Sequence, residues 1–277
     1  MSRRVFVKLT LSPGIFSSRV DILSSPGHCL RRNGRSGVND WLIYQLPSSV
    51  DELIADIVQD YFKATDHKFH SGGREDIDVR MLGNGRPFVV ELISPKLRLS
   101  VNSQHLEELQ AKINTATRLV AITSLSFTDQ QCFKKLTEAA DSKVKAYTAI
   151  VQSKGVLTPE IISKINSLET IEVNQLTPFR VLHRRTLMNR DKYVYRIFLK
   201  KITDYICVCF LMTSAGTYVK EFVHGDLGRT SPSLENLIGS QCDIIQLDVL
   251  DLYENFNDEA VANFEKCISS FKADYFE

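Results

Sequence analysis

The chain has 277 residues, 43% hydrophobic and 24% charged, a composition that supports a sizeable core and excludes a disordered tail. Its 34 basic residues nearly cancel 33 acidic ones, leaving a net charge of +1, so any case for a polyanionic partner must rest on local clusters. Six cysteines (Cys29, Cys132, Cys207, Cys209, Cys242, Cys267) without a C-x-x-C pair argue against a zinc ribbon and a disulfide-dense secreted scaffold.

Residues 1–46 are rich in Ser, Arg, Gly and Pro and read as a loosely structured lead-in with one or two short strands. The polar start after Met1 is not a signal core, and no run has the length of a membrane span, so the chain is expected to be soluble; the scattered cysteines suit a reducing intracellular compartment, the nucleus and/or the cytoplasm. A domain over 47–277 follows. Ser49-Val50-Asp51-Glu52 is a capping-box pattern, and Leu53, Ile54, Ile57, Val58, Tyr61 and Phe62 form a helical apolar stripe. Residues 77–82 and 88–92 read as two strands of a hairpin across the turn formers of 83–87.

Leu106, Leu109 and Ile113 mark a second helix, and Cys132, Phe133 and Leu136 a third. A strand is expected at 146–151, then a helix with Thr158 as cap and Pro159 in its first turn. Further strands are expected near 170–173, 193–199, 205–212 and 244–250, and helices near 217–226 and 259–271. Cys207 and Cys209 alternate and so share one strand face as core residues. Helices and strands interleave irregularly, which gives an α+β class with a large mixed, mainly antiparallel sheet.

Three segments stand out chemically. His70-Ser71-Gly72-Gly73-Arg74-Glu75-Asp76-Ile77-Asp78-Val79-Arg80 crowds ionisable groups and two glycines before a strand, a place where Asp76 can face a cleft. Read alone, it is equally a solvated turn with a local Arg–Asp pair. Gly216-Thr217-Tyr218-Val219-Lys220 looks like a strand-to-helix junction, with Val219, Phe222 and Val223 inward and Lys220 in the first turns. Lys145-Ala146-Tyr147 places an aromatic near the head of a strand. A basic run, Arg180, His183, Arg184, Arg185, Arg190 and Lys192, reads either as a polyanion contact or as solvated surface.

Together, Gly73-Arg74-Glu75-Asp76, Lys145-Ala146-Tyr147 and Gly216-Thr217-Tyr218-Val219-Lys220 resemble, in order and broad spacing, the G-R-x-D, K-x-Y and G-T-Y-[IV]-[RK] elements of pseudouridine synthases. The longer stretch 73–88, with Thr177-Pro178-Phe179-Arg180-Val181-Leu182-His183-Arg184-Arg185, is similar to the archaeal and eukaryotic Pus-ten family of tRNA pseudouridine synthases. The resemblance covers roughly residues 48–255. It implies the pseudouridine synthase fold, a mainly antiparallel sheet flanked by helices with a central cleft, and isomerisation of uridine to pseudouridine in tRNA. The implied target is the TΨC loop, at position 54, position 55 or both.

No metal, small-molecule cofactor or membrane is implied, and a monomer is expected. Asp76 would be the catalytic carboxylate, Tyr147 would stack on the flipped base, and Lys220 would keep Asp76 charged. Arg74, Tyr147, His183, Arg184 and Arg185 would bind substrate. The family usually carries an additional amino-terminal RNA-binding domain with a cysteine-based zinc site, and this sequence has no C-x-x-C pattern of that kind. The alternatives are a non-catalytic RNA-binding or RNA-processing factor on the same fold, a synthase acting on another RNA, and a small-molecule hydrolase using Asp76 and His70.

Overall fold

A computed structural model describes residues 4–11 as backbone, and 49–71, 79–82, 85–97, 102–117, 119–129 and 143–271 with side chains. The chain divides into two compact units, Met1–Glu138 and Ala139–Glu277.

In the first unit the described elements are β1 (Arg4–Leu11), α1 (Val50–Phe62), β2 (Asp66–Ser71), β3 (Val79–Met81), β4 (Pro87–Ile93), α2 (Ser103–Ala116) and β5 (Ile122–Thr128). Helix α1 begins with the capping box read from the sequence. The Ser49 hydroxyl accepts from the Glu52 N–H at 3.1 Å, and the Ser49 N–H donates to the Glu52 carboxylate at 2.9 Å. Its stripe of Ile54, Val58 and Phe62 is buried together with Leu109 and Ile113 of α2 and with Phe88, Val90 and Leu92 of β4. These last three alternate along β4 and so share one face.

An antiparallel sheet runs in the order β2-β4-β1-β5. The expected hairpin between 77–82 and 88–92 does not form. A strand has two hydrogen-bonding edges, and those of β4 are taken by β1 and β2. The expected third helix near Cys132–Leu136 lies outside the described residues. Strand β2, Asp66-His67-Lys68-Phe69-His70-Ser71, was not expected: its polar run lacks an apolar alternation, and its backbone is ordered by pairing with β4.

The second unit contains β6 (Val144–Ser153), α3 (Pro159–Asn166), β7 (Ile171–Leu176), β8 (Asn189–Lys201), β9 (Ile206–Thr213), α4 (Val219–His224), β10 (Thr230–Ser231), α5 (Leu234–Ile238), β11 (Cys242–Tyr253) and α6 (Asp258–Ser270). Its strands follow the order β10-β7-β8-β9-β6-β11, each neighbouring pair antiparallel. The α+β class and the antiparallel pairing are those expected.

One face of this sheet is covered by α6. Val144, Ala146, Val208, Phe210 and Met212 pack there with Ala260 and Phe264. Cys207 and Cys209 lie on the opposite face and are fully buried. Burial pushes the Cys207 thiol up to about 12, as expected of a core group rather than a metal ligand or nucleophile. Thr158 caps α3 with Pro159 in its first turn.

Candidate active site

The sheet register sorts the second unit's candidate residues by face, because directly opposed residues of an antiparallel pair point the same way. Tyr147 on β6 is opposed by Leu211 of β9 and Val249 of β11. Lys145, two residues earlier and hence on the same face, is opposed by Thr213, and Thr213 in turn by Val194 of β8. Stepping back by twos along β8 gives Lys192 and Arg190, which oppose Val173 and Gln175 of β7. Tyr147, Lys145, Thr213, Lys192 and Gln175 therefore lie on one face, the one turned away from α6.

Helix α4 starts over that face. The buried Gln175 side chain accepts the Tyr218 N–H at 2.9 Å and donates to the Tyr218 carbonyl at 3.0 Å, fixing the main chain two residues before Lys220. The turn leading into α4 is fastened too. Thr217 Oγ1 donates to the Ser214 carbonyl at 2.8 Å, and Lys192 Nζ donates to the Ala215 carbonyl at 2.8 Å. Gly216 at φ 71 sits in the left-handed region that favours glycine, and a Cβ there would come to 3.3 Å from Lys192 Nζ, which would have to shift slightly.

Val219, Phe222 and Val223 are buried, as the helical reading predicts, which leaves Lys220 half-buried on the other side of the helix. Tyr147 is almost wholly buried. Thus the structure brings Tyr147 and the helix bearing Lys220 to one sheet face. The helix itself spans six residues, shorter than the expected 217–226, because the turn motif occupies its start and Gly225, at φ 71, caps its end.

The third group sits on the connection from β7 to β8. Thr177 closes this loop at its root: its N–H donates to the Met188 carbonyl at 2.9 Å, its hydroxyl donates to the Thr186 carbonyl at 2.7 Å, and that hydroxyl also accepts the Met188 N–H at 2.9 Å. Beyond the root a short 3₁₀ turn (Phe179–Val181) is followed by His183, Arg184 and Arg185, all exposed. Phe179 and Leu187 are exposed as well, so the loop displays apolar and basic groups together.

Arg180 does not point wholly to water. Its Nε donates to Oε1 of Glu221 at 2.7 Å, and Glu221 is only 1% exposed. Arg180 was legible as one member of a basic run, but its carboxylate partner, 41 residues away, was not. Gln175 carried no sequence signal either, since a single amide in a strand looks like any polar residue. Asp76 and Arg74 lie outside the described residues. His70, on β2, contacts Glu91 at 3.0 Å. Among the described residues no helix is long and apolar enough to cross a membrane, and no group of three or more His, Cys, Asp or Glu could hold a metal ion.

Residues 35–253 match the family described as "Pus10, C-terminal", an interval that includes Arg74, Asp76, Tyr147, His183, Arg184, Arg185 and Lys220. The chain is 39% identical over 212 residues to the tRNA pseudouridine synthase Pus10 of Homo sapiens, a match covering 76% of this chain and 40% of that protein. With the tRNA pseudouridine synthase Pus10 of Thermofilum pendens the identity is 42% over 209 residues, covering 75% and 46%. The chain therefore spans less than half the length of these two relatives. Among solved structures, a Cbf5-Nop10-Gar1 complex is a distant likeness, with 18% identity and a TM-score of 0.40 over 73% of this chain and 44% of that one. On the match over residues 35–253 and the identity to these relatives, the chain belongs to the Pus10 C-terminal family.

Proposed function

We propose that this chain is a tRNA pseudouridine synthase that isomerises uridine in the TΨC loop, at position 54, position 55 or both, with Asp76 as its catalytic carboxylate. The observation that carries the reading is the co-location of Tyr147 and the Lys220 helix on one sheet face, in a chain whose named relatives are tRNA pseudouridine synthases. A non-catalytic RNA-binding protein has no need of Asp76, Tyr147 and Lys220 together.

In the proposed reaction the target uridine is flipped from its stack, its unstacking offset by contact with Tyr147. Asp76, ionised, either attacks the nucleoside or removes a ribose proton while the N-glycosidic bond breaks. The freed uracil turns and rejoins the sugar through C5, which displaces Asp76 from its adduct or, in the other route, takes place as Asp76 returns the ribose proton. The C5 hydrogen is then lost to water while N1 gains a proton, so the step is an isomerisation that needs no oxidant. Lys220 favours the charged carboxylate in a partly desolvated site. Arg74, His183, Arg184 and Arg185 contact the RNA backbone, their donors being suited to phosphate oxygens.

The test is tritium release from a tRNA transcript labelled at uridine C5. Wild-type chain should release tritium, and Asp76→Ala should reduce release to background. Folded wild type that binds the transcript and releases none would overturn the assignment in favour of a binding role.

A further inference from the structure

The segment His224-Gly225-Asp226-Leu227-Gly228-Arg229 is not used by the reaction, yet its backbone is unusual. Asp226 (φ 46, ψ 49) and Leu227 (φ 58, ψ 36) are consecutive left-handed residues that are not glycine, flanked by Gly225 and Gly228, also at positive φ. Such a non-glycine residue is strained and persists only where its surroundings hold it. Leu227, 90% exposed at the tip, gains no burial from the arrangement. What the turn does achieve is to aim Asp226 and Arg229 at the root of the basic loop.

Four ties join that root to α4 and the turn after it. Oδ2 of Asp226 accepts the Phe179 N–H at 3.0 Å. The Arg229 guanidinium donates twice to the Thr177 carbonyl, from Nη2 at 2.7 Å and Nε at 3.2 Å. The Leu176 N–H donates to the Arg229 carbonyl at 2.9 Å. Glu221 holds Arg180 through its Nε at 2.7 Å. Glu221 is the immediate neighbour of Lys220, so the buried carboxylate ties the basic loop to the helix that carries the candidate catalytic lysine.

We propose that Glu221 and Asp226 are positioning residues: they clamp the 177–188 loop onto α4, so that His183, Arg184 and Arg185 meet RNA in a fixed relation to Lys220. This rests on the reading of the chain as acting on RNA. Long basic side chains on an untethered loop would lose conformational entropy on each encounter, whereas a clamped loop has already lost its share. A carboxylate as buried as Glu221 is retained at a desolvation cost, which suits a residue whose task is to fix geometry rather than add stability.

The experiment uses the full chain and an unmodified tRNA transcript. Glu221→Gln, Arg180→Gln, the double variant and Asp226→Asn are compared with wild type for folding by thermal melt, for dissociation constant, and for kcat and KM of uridine conversion. Glu221→Gln and Asp226→Asn keep an acceptor oxygen but remove its charge, and the step from a charged to a neutral hydrogen bond corresponds to at most about a tenfold weakening, so Kd and KM should rise by up to that much in each single variant, with the loss in KM rather than kcat. The double variant should be no worse than the more damaging of the two single variants, because both changes act on one interaction. Amide exchange across 177–188 should quicken in the same variants.

Faster exchange with unchanged Kd would show a purely structural tie and overturn the proposal, as would a fall in kcat at constant KM or additive losses in the double variant. A wild-type chain that binds transcript without converting uridine would end the synthase reading while leaving Kd to decide the clamp. Variants that bind as tightly as wild type would end the clamp and leave the synthase reading standing.

Discussion

Lys220 shows how much of a residue's proposed role depends on its setting. On a free helix it would be an ordinary solvated cation. Here the main chain beside it is held by Gln175, the turn before it by Lys192, and the inward side of its helix is filled by Val219, Phe222 and Val223. If Lys220 keeps Asp76 ionised, Lys220→Met should lower kcat by about 10²-fold, the scale of losing one preorganised electrostatic group, and Lys220→Arg should recover much of it. The pH profile separates this role from packing. Without the cation the carboxylate pKa rises, so activity that requires the charged form should fall away at a higher pH as acid is added. An acid limb at the wild-type position would count against the role.

Elements are placed by contacts that a residue-by-residue reading anticipates unevenly. Thr158-Pro159 announces α3, and the continuous apolar run of 206–212 announces β9, because both signals are local. The two-residue β10 and five-residue α5 are too short to show a period, and β2 and β5 owe their strand form to partners. Close approach is similarly invisible beforehand. A Cβ on Gly155 would lie 2.8 Å from both Cβ and Oγ of Ser240, where the chain after β6 passes the residues before β11. Gly155→Ala should therefore destabilise the protein by about 1–3 kcal/mol, and adding Ser240→Gly should restore most of the loss. Denaturant midpoints of the three variants provide the check; a neutral Gly155→Ala would contradict it.

At the scale of the molecule, two compact units have separate buried clusters, one around Ile54, Phe62 and Phe88 and the other around Phe210 and Phe264. Ile54→Ala should cost about 2–5 kcal/mol and Phe264→Ala about 3–5 kcal/mol, the usual range for emptying a packed site. Followed by amide exchange during urea unfolding, Ile54→Ala should hasten opening chiefly of residues 49–129, and Phe264→Ala chiefly of 143–271. Equal acceleration of both units by either change would mean that they unfold as one.

The sequence by itself determined what is local or periodic: the capping box at Ser49, the helical stripes, the buried alternation of Cys207 and Cys209, and the short motifs that point to Tyr147, Lys220 and Asp76. It also carried the family, because motif order survives without any knowledge of distance. Only the tertiary structure decided that β4 pairs with β1 and β2 instead of β3, that Gln175 fastens the Lys220 helix, and that Glu221 holds Arg180 from 41 residues away. The physical reason is that strand edges and buried carboxylates are satisfied by whichever partner the folded chain brings within about 3 Å, and sequence separation places no limit on that choice.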